Sequence, residues 1–195
     1  MQSHLEALDE FRGVIRKVRA TELGLVLEHL LGLDGDARHR RFGHDVGDAY
    51  IETYAESVLA SGNLAYGYVL DGRLRALAEL RRSGLTWGTT AEAAFSVERE
   101  FANRGLATQL MGRVIRSARN RGVRHLLLYC MADNAKMQAI ARRYSADLRF
   151  EDGSIIADIV PRALNYSSVA QELLEDRLGY VHSLFDYQSR LLRAN

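Results

Sequence analysis

The chain has 195 residues, 47% of them hydrophobic and 26% charged, with a formal net charge of +1. That balance excludes a disordered chain, a single cysteine (Cys130) excludes a disulfide scaffold, and a single proline (Pro161) excludes a collagen-like repeat. No apolar run approaches the ~20 residues of a membrane helix, Met1–Glu10 lacks the apolar core of a leader, and near-zero charge gives no global case for nucleic acid or membrane, so a cytoplasmic protein is expected.

In chain order, Val14–Val18 reads as a first strand. Thr21–Leu31 carries Leu23, Val26, Leu27, Leu30 and Leu31 at helical spacing. Leu33–Gly47, rich in Gly and Arg, reads as a polar loop, and Asp48–Leu59 as a second helix. Ala65–Leu70 and Leu74–Leu80 form a hairpin around Asp71-Gly72, a pair suited to the positive φ of a tight turn. After a loop at Ser83–Thr90, Ala91–Val97 is a strand. Glu98–Arg104 is a tight polar turn, and Gly105–Asn120 a helix with Leu106, Leu110, Val114 and Ala118 on its apolar side. Leu126–Met131 is a near-continuous apolar strand, the pattern of burial on both faces. Asn134–Tyr144 is a short helix, and Leu148–Phe150 with Ile155–Val160 closes the sheet around Asp152-Gly153. Beyond Pro161, Ser168-x-x-Gln171 fits a capping box, and the apolar stripe that follows predicts two amphipathic helices broken near Gly179. The expected class is α/β (α+β), with helices on the faces of one sheet. Residues 1–160 form the domain, and 161–195 form a helical extension packed on it or in an oligomer interface.

The stretch with chemical content is Ala91–Ala107, a strand, a short turn with one glycine, and a helix start. A helix N-terminus offers unpaired N–H groups and the positive end of the dipole, so it suits a phosphate. Gly105 and Ala107 leave the backbone open to close approach, and Thr108 adds a hydroxyl.

This segment resembles motif A of the GNAT superfamily of acyl-CoA-dependent N-acyltransferases, Gln/Arg-x-x-Gly-x-Gly/Ala after an apolar strand ending in Val. Val97 and Gly105 stand at the family's separation, Gly105-Leu106-Ala107 matches the second half, and Ala102 occupies the first position in place of Gln or Arg. Downstream, Asn134-Ala135-Lys136-Met137 is similar to the Asn-x-x-Ala/Met that opens the next helix. The resemblance covers roughly Phe11–Val160. Ala91-Glu92-Ala93-Ala94, Arg38–Phe42 and Asn134–Met137 are together most similar to the bacterial protein-lysine acetyltransferase type.

The resemblance implies a mixed, mostly antiparallel sheet of six to seven strands flanked by helices. It implies acetyl-CoA as co-substrate, no metal, and transfer to a primary amine, a protein lysine or a small molecule, by direct attack in a ternary complex. Glu92 is then the general base. The cofactor-binding residues are Phe95, Ser96, Val97, Ala102, Asn103, Arg104, Gly105, Leu106, Ala107, Thr108, Asn134 and Met137. Many relatives supply a Tyr proton donor seven residues after the Asn; here that position is Ala141, and Tyr144 is expected to point elsewhere. The alternative is a non-catalytic acyl-CoA-binding or protein-interaction module on the same fold, for which Ala102 is the motive.

Rival readings attach to the same residues. Glu79 and Glu98 compete with Glu92 as base. Ser96 reads as a small residue near the cofactor, with no His in the sequence placed to activate it. Cys130 reads as a small hydrophobe. His29, His39 and His44 lack metal-ligand spacing. Arg38–Arg41 is either a solvated loop or the border of an acceptor site for acidic substrates. Arg113 and Arg116 read as a solvated helix face, and the tail's apolar stripe as packed core or a homodimer contact.

Overall fold

Two Asp-Gly turns set the hairpins of the sheet. Asp71 and Gly72 sit at φ 52 and 73, Asp152 and Gly153 at φ 47 and 81, the left-handed pairs that match the twist of antiparallel strands. A computed structural model describes residues 13–60, 62–161 and 166–193. The stretch Met1–Glu10 and the side chains of Leu184, Phe185, Leu191 and Leu192 lie outside the described residues.

The strands are β1 (Val14–Val18), β2 (Leu64–Leu70), β3 (Arg73–Arg82), β4 (Thr90–Val97), β5 (His125–Met131), β6 (Asp147–Glu151) and β7 (Ser154–Ile159). The helices are α1 (Leu23–Leu31), α2 (Gly35–Phe42), α3 (Asp48–Val58), α4 (Leu106–Asn120), α5 (Ala135–Arg143) and α6 (Tyr166–Arg193). The seven strands form one sheet in the order β1-β2-β3-β4-β5-β7-β6. Only β4 and β5 are parallel, so the mixed, mostly antiparallel sheet expected from the sequence is the one observed.

Strand alternation gives the sheet two cores. On one face, Leu106, Leu110, Met111, Val114 and Ala118 of α4 pack on Ala76, Ala78, Leu80, Ala91 and Ala93. On the other, Leu25, Val26 and Leu30 of α1 and Ile51, Ala55 and Val58 of α3 pack on Val18, Ala65, Leu74 and Leu77. Each fully buried Leu, Ile or Val stabilises the fold by roughly 1.5–3 kcal/mol, so both faces are firmly held.

Three sequence expectations are corrected. The stretch read as a loop contains helix α2. It has no apolar stripe to betray it; its ends and charges hold it instead. Asp34 caps it by accepting the Ala37 N–H at 2.9 Å, and Gly43, at φ 76, ends it with its N–H on the His39 carbonyl at 2.7 Å. The tail is one continuous helix, α6, rather than two. Gly179 is not a break: a Cβ there would lie 2.9 Å from Arg16 Cβ, so the glycine lets α6 cross β1 closely. Finally, Arg113 and Arg116 are not a free solvated face: both are half-buried and pair with Glu175 of α6. The neighbouring Glu172 accepts from Ser117 at 3.1 Å and Arg121 at 2.8 Å, which fixes α6 against α4 through polar contacts.

Candidate functional site

The parallel pairing of β4 with β5 stops early. It runs from Thr90↔His125 to Ala93↔Leu128, while β4 stays paired with β3 to Val97 and β5 with β7 to Met131. Beyond Ala93 the two strands therefore part. The Glu98 N–H bonds the Arg75 carbonyl of β3 at 3.0 Å. Alternation along β4 then turns the N–H groups of Phe95 and Val97 the other way, into the gap. Ser96, between them, directs its backbone to β3 opposite Leu77.

The gap opens into a cleft of about 1400 Å³. Its lining includes Glu92, Phe95, Ser96, Val97, Ala102, Asn103, Gly105, Leu106, Ala107, Thr108, Asn134 and Met137. Twelve of the thirteen sequence-predicted residues thus share one cavity. Arg104 is the exception, with its guanidinium 5.3 Å over the Phe101 ring.

One side of the cleft is made of backbone. Gly105 caps α4 at φ 77, and a Cβ added there meets nothing within 4 Å. The first intrahelical bond is Gln109 N–H to the Gly105 carbonyl, at 3.1 Å. The N–H groups of Leu106, Ala107 and Thr108 therefore have no partner within the helix and face the cleft with the positive end of the dipole. This cradle needs no side chain at position 102, so Ala102 does not disturb it. Asn134 caps α5 through Oδ1, which accepts the Met137 N–H at 3.2 Å, and its amide nitrogen stays available to a ligand. Tyr144 points elsewhere, as expected: its hydroxyl donates to the Thr108 carbonyl at 2.8 Å. Cys130 also lines the cleft; burial pushes its thiol up, away from thiolate character.

The opposite side is made of side chains. Arg40, Arg41, Phe42, Tyr50, Tyr54 and Arg81 line it, so the Arg-rich segment borders the cleft on α2. Glu79, 1% exposed, accepts from Arg41 at 2.6 Å and from the Tyr54 hydroxyl at 2.7 Å. Tyr54 in turn accepts from Arg41 and from Arg81, the latter at 2.9 Å. Burial and the Glu79 charge hold the Tyr54 phenol well above its usual range, so it remains protonated. With its lone pairs engaged, Glu79 anchors α2 and α3 to β3 and has no place as a base.

Glu98 is engaged as well. Burial works to raise its carboxyl, but His29 and the Arg75 guanidinium, 2.9 Å away, hold it below the usual range. Glu92 differs from both. It is exposed to the cleft, across the strand pair from Arg81, and has no hydrogen-bond or ion-pair partner among the described residues. Of the three carboxylates, it alone has free lone pairs directed at solvent in the cleft.

One contact is absent from the sequence reading. His29 of α1, 1% exposed, places Nε2 2.8 Å from Ser96 Oγ and Nδ1 3.0 Å from the Leu74 carbonyl. A histidine is therefore placed against Ser96, contrary to expectation. The two are 67 positions apart, and nothing in local spacing links them. Among the described residues no cluster of His, Cys, Asp or Glu has the arrangement of a metal site, and no helix is long and apolar enough to cross a membrane.

The sequence profile of the acetyltransferase (GNAT) family matches residues 34–145. No curated protein matches the chain in sequence. Solved structures do. The GNAT domain of PAT from S. lividans superposes with a TM-score of 0.66 at 18% identity, covering 76% of this chain and 90% of that one. The ribosomal-protein-alanine N-acetyltransferase from Brucella melitensis gives 0.59 at 16% identity, over 75% and 99%. A GNAT phosphinothricin acetyltransferase from Sinorhizobium meliloti, in complex with AcCoA, gives 0.59 at 13% identity, over 76% and 88%.

Proposed function

From the chain's membership of the acetyltransferase (GNAT) family, we propose that it transfers the acetyl group of acetyl-CoA to a primary amine by direct attack in a ternary complex. The observation that carries this reading is the cleft itself. It joins a strand gap lined by two free N–H groups, an anion-binding helix start, and one unengaged carboxylate.

The residues divide the work as follows. The N–H groups of Leu106, Ala107 and Thr108 hold the pyrophosphate of CoA, and Gly105 leaves room for it. The Asn134 amide and the parted edges of β4 and β5 hold the pantetheine arm. An alkyl amine has a pKa of ~10.4 and is almost wholly protonated near pH 7. Glu92, directly or through one water, takes that proton. The freed lone pair attacks the thioester carbonyl, whose oxygen gains charge and is met by the Phe95 and Val97 N–H groups. The C–S bond breaks, CoA leaves as thiolate, and the surplus proton on the newly bonded nitrogen passes to that sulfur or to water.

The acceptor is a protein lysine or a small amine. The likeness of Ala91–Ala94 and Asn134–Met137 to the protein-lysine type supports the former. The same reading takes residues 1–160 as the transferase domain, in the cytoplasm, with 161–195 as an extension. Exposed Leu174, Leu178 and Val181 on α6 support a homodimer through that helix.

The test is thiol release on an amine panel with Glu92→Gln beside the wild type. The variant should lose roughly 100- to 10,000-fold in turnover at saturating acetyl-CoA, with CoA affinity by calorimetry unchanged. CoA binding with no turnover on any amine, in either protein, would favour the non-catalytic acyl-CoA-binding module instead.

A further inference from the structure

The mechanism above leaves one buried, chemically capable pair unused. Ser96 lines the cleft and is 6% exposed, with His29 directly behind it at 2.8 Å. The Leu74 carbonyl accepts from Nδ1, and a carbonyl can only accept, so Nδ1 carries the ring proton. Nε2 then presents its lone pair to the Ser96 hydroxyl, which donates. On the far side, Glu98 Oε1 lies 3.6 Å from Nδ1 and is itself held by Arg75 at 2.9 Å. A hydroxyl, a base in the accepting tautomer, an orienting acceptor and a carboxylate beside the ring are therefore in mutual contact. This is the arrangement by which a weak hydroxyl becomes a nucleophile. The N–H groups of the two residues flanking Ser96, Phe95 and Val97, point into the gap where a thioester carbonyl would lie, and supply the matching oxyanion donors.

We propose that Ser96, activated by His29, is a nucleophile toward acyl-CoA thioesters, so that the site carries a second activity: acyl-CoA hydrolysis through a Ser96 ester when no amine is seated. The proposal rests on the acyl-CoA reading of the cleft. In the first half, the Oγ–C bond forms and the C–S bond breaks. The Oγ proton passes to His29 Nε2 and from there to the departing sulfur. In the second half, water adds to the ester carbonyl and gives one proton to Nε2, which returns it to Ser96 Oγ as the Oγ–C bond breaks and the carboxylic acid leaves with the other. Glu98 faces the ring while it is charged. The sum is thioester plus water to carboxylic acid plus thiol, with no oxidant, metal or further reactant.

The experiment incubates the full chain with acetyl-CoA and no amine. It follows free thiol, the intact mass, and the modified peptide. The expected result is steady thiol release and an acetyl adduct on the peptide holding Ser96, removed by hydroxylamine as esters are. Both are lost in Ser96→Ala, and Ser96→Cys restores an adduct, now a thioester. His29→Gln, which can still hydrogen-bond Ser96 but is no base, slows thiol release by roughly 100- to 10,000-fold. Acetyl-CoA that binds by calorimetry, with neither thiol release nor an ester, overturns the proposal. So does a hydroxylamine-resistant label on Lys17 or Lys136 that survives Ser96→Ala. Failure to bind acetyl-CoA at all instead overturns the acyl-CoA reading on which the proposal stands, so the two failures are told apart.

Discussion

The two sides of the cleft are built in opposite ways. The α4 side works through main-chain N–H groups and the space left by Gly105, and its affinity depends on conformation. The α2 side works through Arg41, Tyr54, Glu79 and Arg81, charged or polar groups packed into one network, and its shape depends on pairing. A site of the first kind should tolerate changes of side chain, Ala102 among them. A site of the second kind tolerates very few, because each member leaves another buried and unpaired.

Removing Glu79 tests that contrast most severely. Glu79→Ala leaves the Arg41 guanidinium, whose side chain is 8% exposed, without its counter-ion. Breaking a buried pair in this way costs about 3–5 kcal/mol, which a denaturant melt will register. Calorimetry on the folded fraction should find CoA affinity close to wild type. A loss of affinity matching the loss of stability would mean that the two sides are one unit.

Gly105→Ala reverses the experiment. A Cβ has space there, but φ 77 is left-handed, and an L-residue in that region is disfavoured by roughly 1–2 kcal/mol. CoA should bind about tenfold more weakly, with the α2 side untouched. Unchanged affinity would mean that the loop adjusts at no cost.

The smallest effect concerns the helix docked beside both. Burial works to raise the Glu172 carboxyl, but the Asn120 hydrogen bond and the Arg121 charge hold it below its ordinary value of 4.5. Its contribution is therefore whole above that ordinary value and is lost as pH falls through the lowered one. Protection of α6 amides from hydrogen exchange, relative to the free-chain rate at each pH, should fall as pH drops below about 4.5, more than protection at α4. Equal protection across that range would remove Glu172 as the anchor.

The same division explains what the sequence disclosed. The cradle was legible because its parts are contiguous: an apolar strand, a turn and Gly105 lie within one short stretch, and so does the alternation that shapes β4. The α2 wall was not. GDARHRRF has no apolar period, and its helical state is decided by Asp34, Gly43 and partners elsewhere in the fold. His29 reads in sequence as one more residue near the apolar stripe of α1; only the sheet's register, setting Leu74 and Ser96 beside it, gives it a role. Gly179 was misread for a related reason. Glycine signals both a break and a close crossing, and only Arg16 in contact decides between them.

The outer fastenings of α2 are exposed ones. Arg99 reaches Asp34 at 2.8 Å and Asp36 at 3.2 Å, and Arg38 reaches Asp48 at 2.8 Å, each pair having at least one side chain largely in solvent. Such pairs are screened by dissolved salt, whose Debye length shrinks from about 10 Å at 0.1 M to about 3 Å at 1 M. The Glu79 network behind them is sheltered from that screening. Ionic strength therefore acts on one wall of the cleft from the outside, loosening the outer edge of α2 while its inner anchor and the main-chain cradle opposite keep their positions.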